Sequence, residues 1–179
     1  MPSKLISTAA RSLFAVLLLA LGVTGIGCGF ASAPAEDQKP QPDVKALPQA
    51  VRNALDRAER VYAQPLSGAK WSEVDVHKGS EHPVYQVRGT NARGNTIEIE
   101  ITPGGRVIEV EEHGIAFEET PAAVRDTLTK QIPGFKAKKV EAIYQTENAR
   151  PYCYGFEGTD GDGKEVELYV TADGKTVLN

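Results

Sequence analysis

His77, His82 and His113 are the histidines of this chain, and all three fall in the first of two similar stretches. With Glu111 and Glu112 close in sequence they offer the nitrogen and oxygen donors that zinc takes. Their spacing matches no zinc pattern, so they read as solvent-facing turn residues, and no metal or other cofactor is expected. Asp160-Gly161-Asp162-Gly163-Lys164-Glu165 begins like a calcium loop, but Lys164 takes the third acid position and Glu165 the sharp-turn glycine position. Asn91 to Asn95 is the matching stretch and holds no acid, so both read as hairpin turns. Beyond the leader the serines are Ser67, Ser72 and Ser80, none in a nucleophile elbow. Glu98 and Glu167 could serve as paired acids, yet they hold equivalent strand positions where solvated carboxylates are ordinary. No nucleophile, base and orienting group can be named together, so no enzyme is expected. Cys153 aligns with Val84 and reads as a small buried hydrophobe, against the sharper reading of a reactive thiol.

These residues are positioned by a duplicated unit. Tyr85 to Val110 aligns with Tyr154 to Asn179 at an offset of 69, with identities at Tyr85/Tyr154, Gly89/Gly158, Thr90/Thr159, Gly94/Gly163, Glu98/Glu167, Thr102/Thr171 and Gly105/Gly174. Upstream, Pro48 to Leu55 matches Pro121 to Leu128 at an offset of 73. Such a repeat decides architecture before propensity does. Leu47, Val51, Ala54, Leu55, Ala58, Val61 and Tyr62 form an amphipathic helical stripe. Val124, Leu128 and Ile132 form the second, with Thr120 as its cap, Pro121 at its first position and Pro133-Gly134 as its stop. Val74 and Val76, Tyr85 and Val87, Ile97 to Ile101, and Ile108 and Val110 alternate with polar residues, as half-buried strands do. The second copy repeats this over 140–145, 152–158 and 165–171, with a clipped last strand at 175–179. The expected fold is α+β: a tandem repeat of one helix plus a four-stranded antiparallel meander, helices packed on one sheet face. A unit of this size is marginal alone, so the two are expected to pack together, with a shared sheet of about eight strands as one arrangement.

The other sheet face should be wet and is the best candidate surface. It should present Gln86, Arg88, Glu98 and Glu100 from the first copy, and Glu157, Glu167 and Tyr169 from the second. Tyr169 stands where the first copy has Glu100. Arg88, Glu98, Glu100, Glu167 and Tyr169 are therefore the candidate partner-binding residues, because exposed Tyr and Arg often anchor protein recognition. The alternative is a scattered surface aromatic with no role.

Residues 1–35 read as a bacterial export signal: Lys4 and Arg11, then an apolar run from Leu13 to Leu21, too short to span a membrane. Two cleavage readings stand side by side. Ala33-Pro34-Ala35 would release Glu36, whereas Thr24 to Cys28 resembles a lipobox with a lipoprotein signal over 1–27 and a lipidated Cys28. Residues 36–45 read as a polar tether, 46–113 as the first repeat and 118–179 as the second. Without the leader the chain has 18 basic against 24 acidic residues, a net charge of −6. No basic face is available for phosphates, so nucleic acid is excluded as a partner.

Pro48 to Val51, Tyr85 to Val87, Ile97 to Thr102 and Gly105 to Val107 resemble the motifs of the PepSY-like family, in the branch likened to the secreted beta-lactamase inhibitor protein. The second copy carries them at Pro121 to Val124, Tyr154 to Phe156, Val166 to Thr171 and Gly174 to Thr176. The resemblance implies a non-enzymatic exported module that binds an envelope or secreted protein, with peptidases among the targets. Copy one departs from the family pattern at Pro103-Gly104-Gly105, where an acid is usual before the glycine. The expectation is an exported, periplasmic or cell-surface binding protein that meets the membrane only through a Cys28 lipid. Small-ligand or metal binding and a passive structural lipoprotein remain as alternatives.

Overall fold

The computed structural model describes residues 43–77, 83–145 and 149–178, all within one compact unit over 38–179. Cys28 and the leader, most of the tether, and His82 lie outside the described residues. Eight strands form one antiparallel sheet in chain order: β1 (Lys70–His77), β2 (Val84–Thr90), β3 (Thr96–Ile101), β4 (Val107–His113), β5 (Lys136–Gln145), β6 (Cys153–Thr159), β7 (Glu165–Thr171) and β8 (Val177–Leu178). α1 (Gln49–Val61) precedes β1, and α2 (Ala122–Gln131) lies between β4 and β5. The two meanders are joined edge to edge, with Val110 opposite Tyr144 and Glu111 opposite Ile143.

Alternation sends one set of strand side chains toward the helices. Val74, Val87, Ile97, Ile99, Ile101, Val110, Ala142, Tyr144, Phe156 and Val170 form one core with Val51, Ala54, Leu55 and Ala58 of α1 and Val124 and Leu128 of α2. Each fully buried Ile, Leu or Val contributes roughly 1.5–3 kcal/mol. Among the described residues no helix is long and apolar enough to cross a membrane.

The two copies agree in detail. A short 3-10 turn precedes each helix, at Val44–Ala46 and Phe117–Glu119. Arg52 donates to the carbonyls of Lys45 and Leu47, and Arg125 to those of Glu118 and Thr120. Turn glycines Gly105 (φ 80°) and Gly174 (φ 71°) lie against the first helical turn. A Cβ there would come within 2.5 Å of the carbonyl oxygens of Ala50 and Ala123 respectively. Bulges fall at matching points too, between Trp71 and Glu73 in β1 and between Ala137 and Lys139 in β5.

Local expectations shift in four places. Thr120 does not cap α2: its hydroxyl donates to the Phe117 carbonyl at 2.7 Å, and Pro121, in extended backbone, occupies the cap position. β5 starts at Lys136 rather than 140, because ladder pairing with β6 recruits polar residues that show no alternation. The end of the expected tether forms the first 3-10 turn, capped by Asp43, which accepts from the Lys45 amide at 3.0 Å. Val61, placed on the α1 stripe, is exposed.

Candidate functional site

The face opposite the helices is set by register. Arg88 lies across from Glu98, Glu98 from Glu111, and Glu111 from Ile143. One step along, Gln86, Glu100, Glu109 and Gln145 form a parallel row. One step the other way, His113 lies across from Glu141, Glu141 from Gly155, and Gly155 from Tyr169. Strand spacing of about 4.8 Å therefore gathers five carboxylates, Glu98, Glu100, Glu109, Glu111 and Glu141, on the three central strands β3, β4 and β5.

Polar contacts organise this patch. Glu98 accepts from Arg88 Nε at 2.6 Å and from Gln86 Nε2, while Arg88 also donates to Asp75 at 3.2 Å. Gln86 Oε1 accepts from Arg88 at 2.7 Å and lies 2.9 Å from His77 Nε2. Glu109 accepts from Gln145 at 2.7 Å. His113 is held from both sides, its Nε2 3.1 Å from Glu111 and its Nδ1 2.9 Å from Glu141. Burial works against a charged imidazole, but the hydrogen bonds and charges of Glu111 and Glu141 outweigh it and raise His113 to about 10. Burial, aided by Glu141 and Glu98, raises Glu111 to about 7 despite the opposing pull of His113. Glu100 is raised as well, by burial and then by Glu109 and Glu98.

Arg88, Glu98 and Glu100 stand together as expected on the open face, but that face is drier than alternation implied. Gln86 is buried, and the Glu98 side chain is only 12 % exposed. These side chains satisfy one another before they meet water. Glu98 and Glu167 are not a pair: they sit on β3 and β7, four strand spacings or about 19 Å apart. Glu167 accepts from the Tyr169 phenol at 2.7 Å. Tyr169 and Glu141 fill the space above Gly155, where a Cβ would meet Tyr169 Cε1 at 2.8 Å and Glu141 Oε1 at 2.5 Å. Tyr169 therefore reaches the central cluster through Glu141, and its phenol is raised by burial and then by Glu167.

Glu112 does not join the other acids, and His77 touches the patch only at its edge, through Gln86. His77 sits on edge strand β1 beside Gln86, and Glu112 points to the helix face. Glu112 is 1 % exposed and accepts from Asn91 at 2.6 Å, from Asn95 at 2.9 Å and from Arg93, so it pins the β2–β3 turn. Asp160 accepts from the amides of Asp162 at 2.9 Å and Lys164 at 3.0 Å, a turn that Asn91 repeats with Arg93 and Asn95. Cys153 is buried beside Ile143, apart from the main core. Burial, then Glu109 and Glu141, pushes its thiol up to about 12, so it is no nucleophile at neutral pH. Sequence reasoning sets His77 and His113 in solvent-facing turns, whereas both are strand residues and His113 is half-buried between two carboxylates; it also misses Glu109 and Glu141 as members of the patch. The alternation of Glu109 and Glu111 with Ile108 and Val110 placed the acids on the open face, but no local signal joined β4 to β5.

No family model and no curated protein matches the chain. Solved structures do resemble it. A protein from Bacteroides eggerthii DSM 20697, predicted to be periplasmic, has a TM-score of 0.53 and 18% identity, covering 74% of this chain and 86% of its own. A BLIP-like protein from Bacteroides fragilis NCTC 9343 has a TM-score of 0.53 and 16% identity, covering 74% and 84%. A DUF2874 family protein from Bacteroides uniformis ATCC 8492 has a TM-score of 0.53 and 16% identity, covering 74% and 86%. The likeness is one of fold.

Proposed function

We propose that this chain is a non-enzymatic exported module that recognises a protein partner of the cell envelope through its open sheet face. The observation that supports this reading is the sidedness of the sheet. Both helices and the core lie on one face, and the other carries Arg88, Tyr169 and a central field of five carboxylates. Such a face attracts a partner with a basic surface, and its charge speeds encounter in a salt-dependent way. The likeness to a BLIP-like fold supports a tandem architecture, with repeats at 46–113 and 118–179, and the PepSY-like motifs of the sequence make a peptidase the first partner class to test. Export follows from residues 1–35. Lipidation of Cys28 against release at Glu36 is decided by the mass of the mature N-terminus.

The test is affinity capture from the native envelope fraction with the exported protein as bait, at low and high salt. One stoichiometric partner is expected, lost at high salt and captured less well by Arg88→Ala and Tyr169→Ala, both still folded by circular dichroism. Capture untouched by both substitutions would remove this face from the function.

A further inference from the structure

We propose that Glu98, Glu111 and His113 form a binding site for a divalent transition cation of the zinc class, with Glu141 as the outer partner that orients His113. One ligand atom from each of the three residues lies within 4.8 Å of the other two. Zinc bonds of about 2.0–2.2 Å to nitrogen and oxygen place tetrahedral ligands roughly 3.4 Å apart, so modest side-chain rotation closes the set. The scaffold is rigid: Glu98 and Glu111 are directly opposed across β3 and β4, and His113 follows two residues on, on the same face.

The outer contacts also suit a metal. His113 Nδ1 lies 2.9 Å from Glu141, which holds a proton on Nδ1 and leaves Nε2, 3.1 Å from Glu111, as the nitrogen a cation takes. A carboxylate behind a ligating histidine is the usual support of a zinc site. Glu98 is anchored in the same manner by Arg88 Nε and by Gln86, and each carboxylate oxygen keeps a further lone pair. On binding, the cation replaces the Nε2 proton of His113 and any proton carried by Glu111, and these leave to solvent. A cation also relieves the crowding of Glu98, Glu111 and Glu141, where Arg88 and His113 are the nearest positive groups among those described. One imidazole and two carboxylates suit zinc better than calcium, which takes six to eight oxygens. Three protein ligands leave a coordination position for water or for a group from a partner.

This inference is independent of partner capture, and either can fail alone. The exported, tag-free protein is stripped with chelator and titrated with zinc chloride by calorimetry, with metal content measured after dialysis. One zinc per chain is expected, with a higher melting temperature. His113→Gln and Glu111→Gln should abolish stoichiometric binding, and Glu141→Gln should weaken it about 10- to 100-fold. Glu165→Gln, on β7 and paired with Lys138, should leave it unchanged. Zinc-edge absorption should report a single imidazole, a readout that needs no variant. Less than one zinc per chain, or zinc retained in full by folded His113→Gln, overturns the proposal. So does calcium bound as tightly as zinc and indifferent to His113→Gln, which would mark a carboxylate patch alone.

Discussion

Against the cost of burial, His113 keeps its proton because two carboxylates face it from β4 and β5, and Glu111 resists losing its own because it is buried and, secondly, because Glu141 and Glu98 crowd it. Both effects act in one direction on stability. Between about pH 4.5 and 7 the folded chain retains a proton on Glu111 that the unfolded chain has lost. Between about 6.5 and 10 the same holds for His113. Wherever the folded state binds more protons, stability falls as pH rises. The metal-free protein should therefore lose melting temperature steadily between about pH 5 and pH 10, with the two groups titrating as one coupled pair. A pH series of thermal melts tests this, and His113→Gln should flatten the upper half of the curve. An equally steep fall in that variant would show that other groups carry it.

Each helix is tied to the last turn of its own meander by a glycine that approaches its first residues. Gly105 and Gly174 combine a positive φ with a carbonyl neighbour that a side chain could not avoid. Gly94 has a positive φ, of 82°, with nothing within 4 Å of its would-be Cβ. Gly94→Ala should then cost only about 1 kcal/mol of backbone strain, whereas Gly105→Ala and Gly174→Ala should each cost about 2–4 kcal/mol as the helix is displaced. Denaturant unfolding measures all three. Similar penalties at Gly105 and Gly174 would mark them as the same structural position in two copies; a Gly94 penalty as large as theirs would mean that φ alone, not helix contact, sets the cost. Turn chemistry of this kind was legible, since the repeated Gly and Thr positions, and the match of Asn91 with Asp160, stand out at constant offset. Cap identity was not, because Thr120 and Pro121 fit either of two adjacent cap positions and only the backbone angles decide.

At the scale of the molecule, the pairing of β4 with β5 turns two marginal units into one sheet with one core. Tyr62 of the first copy meets Tyr144 of the second edge to face at 6.1 Å. Unfolding should accordingly be a single cooperative transition, with calorimetric and van't Hoff enthalpies in agreement. Two resolved transitions would mean that the repeats fold separately and that the β4–β5 joint adds little.

The amino-acid pattern by itself determined the repeat, the two helical stripes, the α+β class and which residues of most strands face the helices. These are local properties, written in periods of two and 3.6 and in turn residues. Only the tertiary structure decided which residues become neighbours across strands. Glu141 lies 28 positions from His113, and the register that opposes them is fixed by the joining of two sheet edges, to which the alternation within either strand is blind. The β3–β4 register likewise brought Glu111 beside Glu98, and the strand order kept Glu167 four strands away from the acid it matches in sequence.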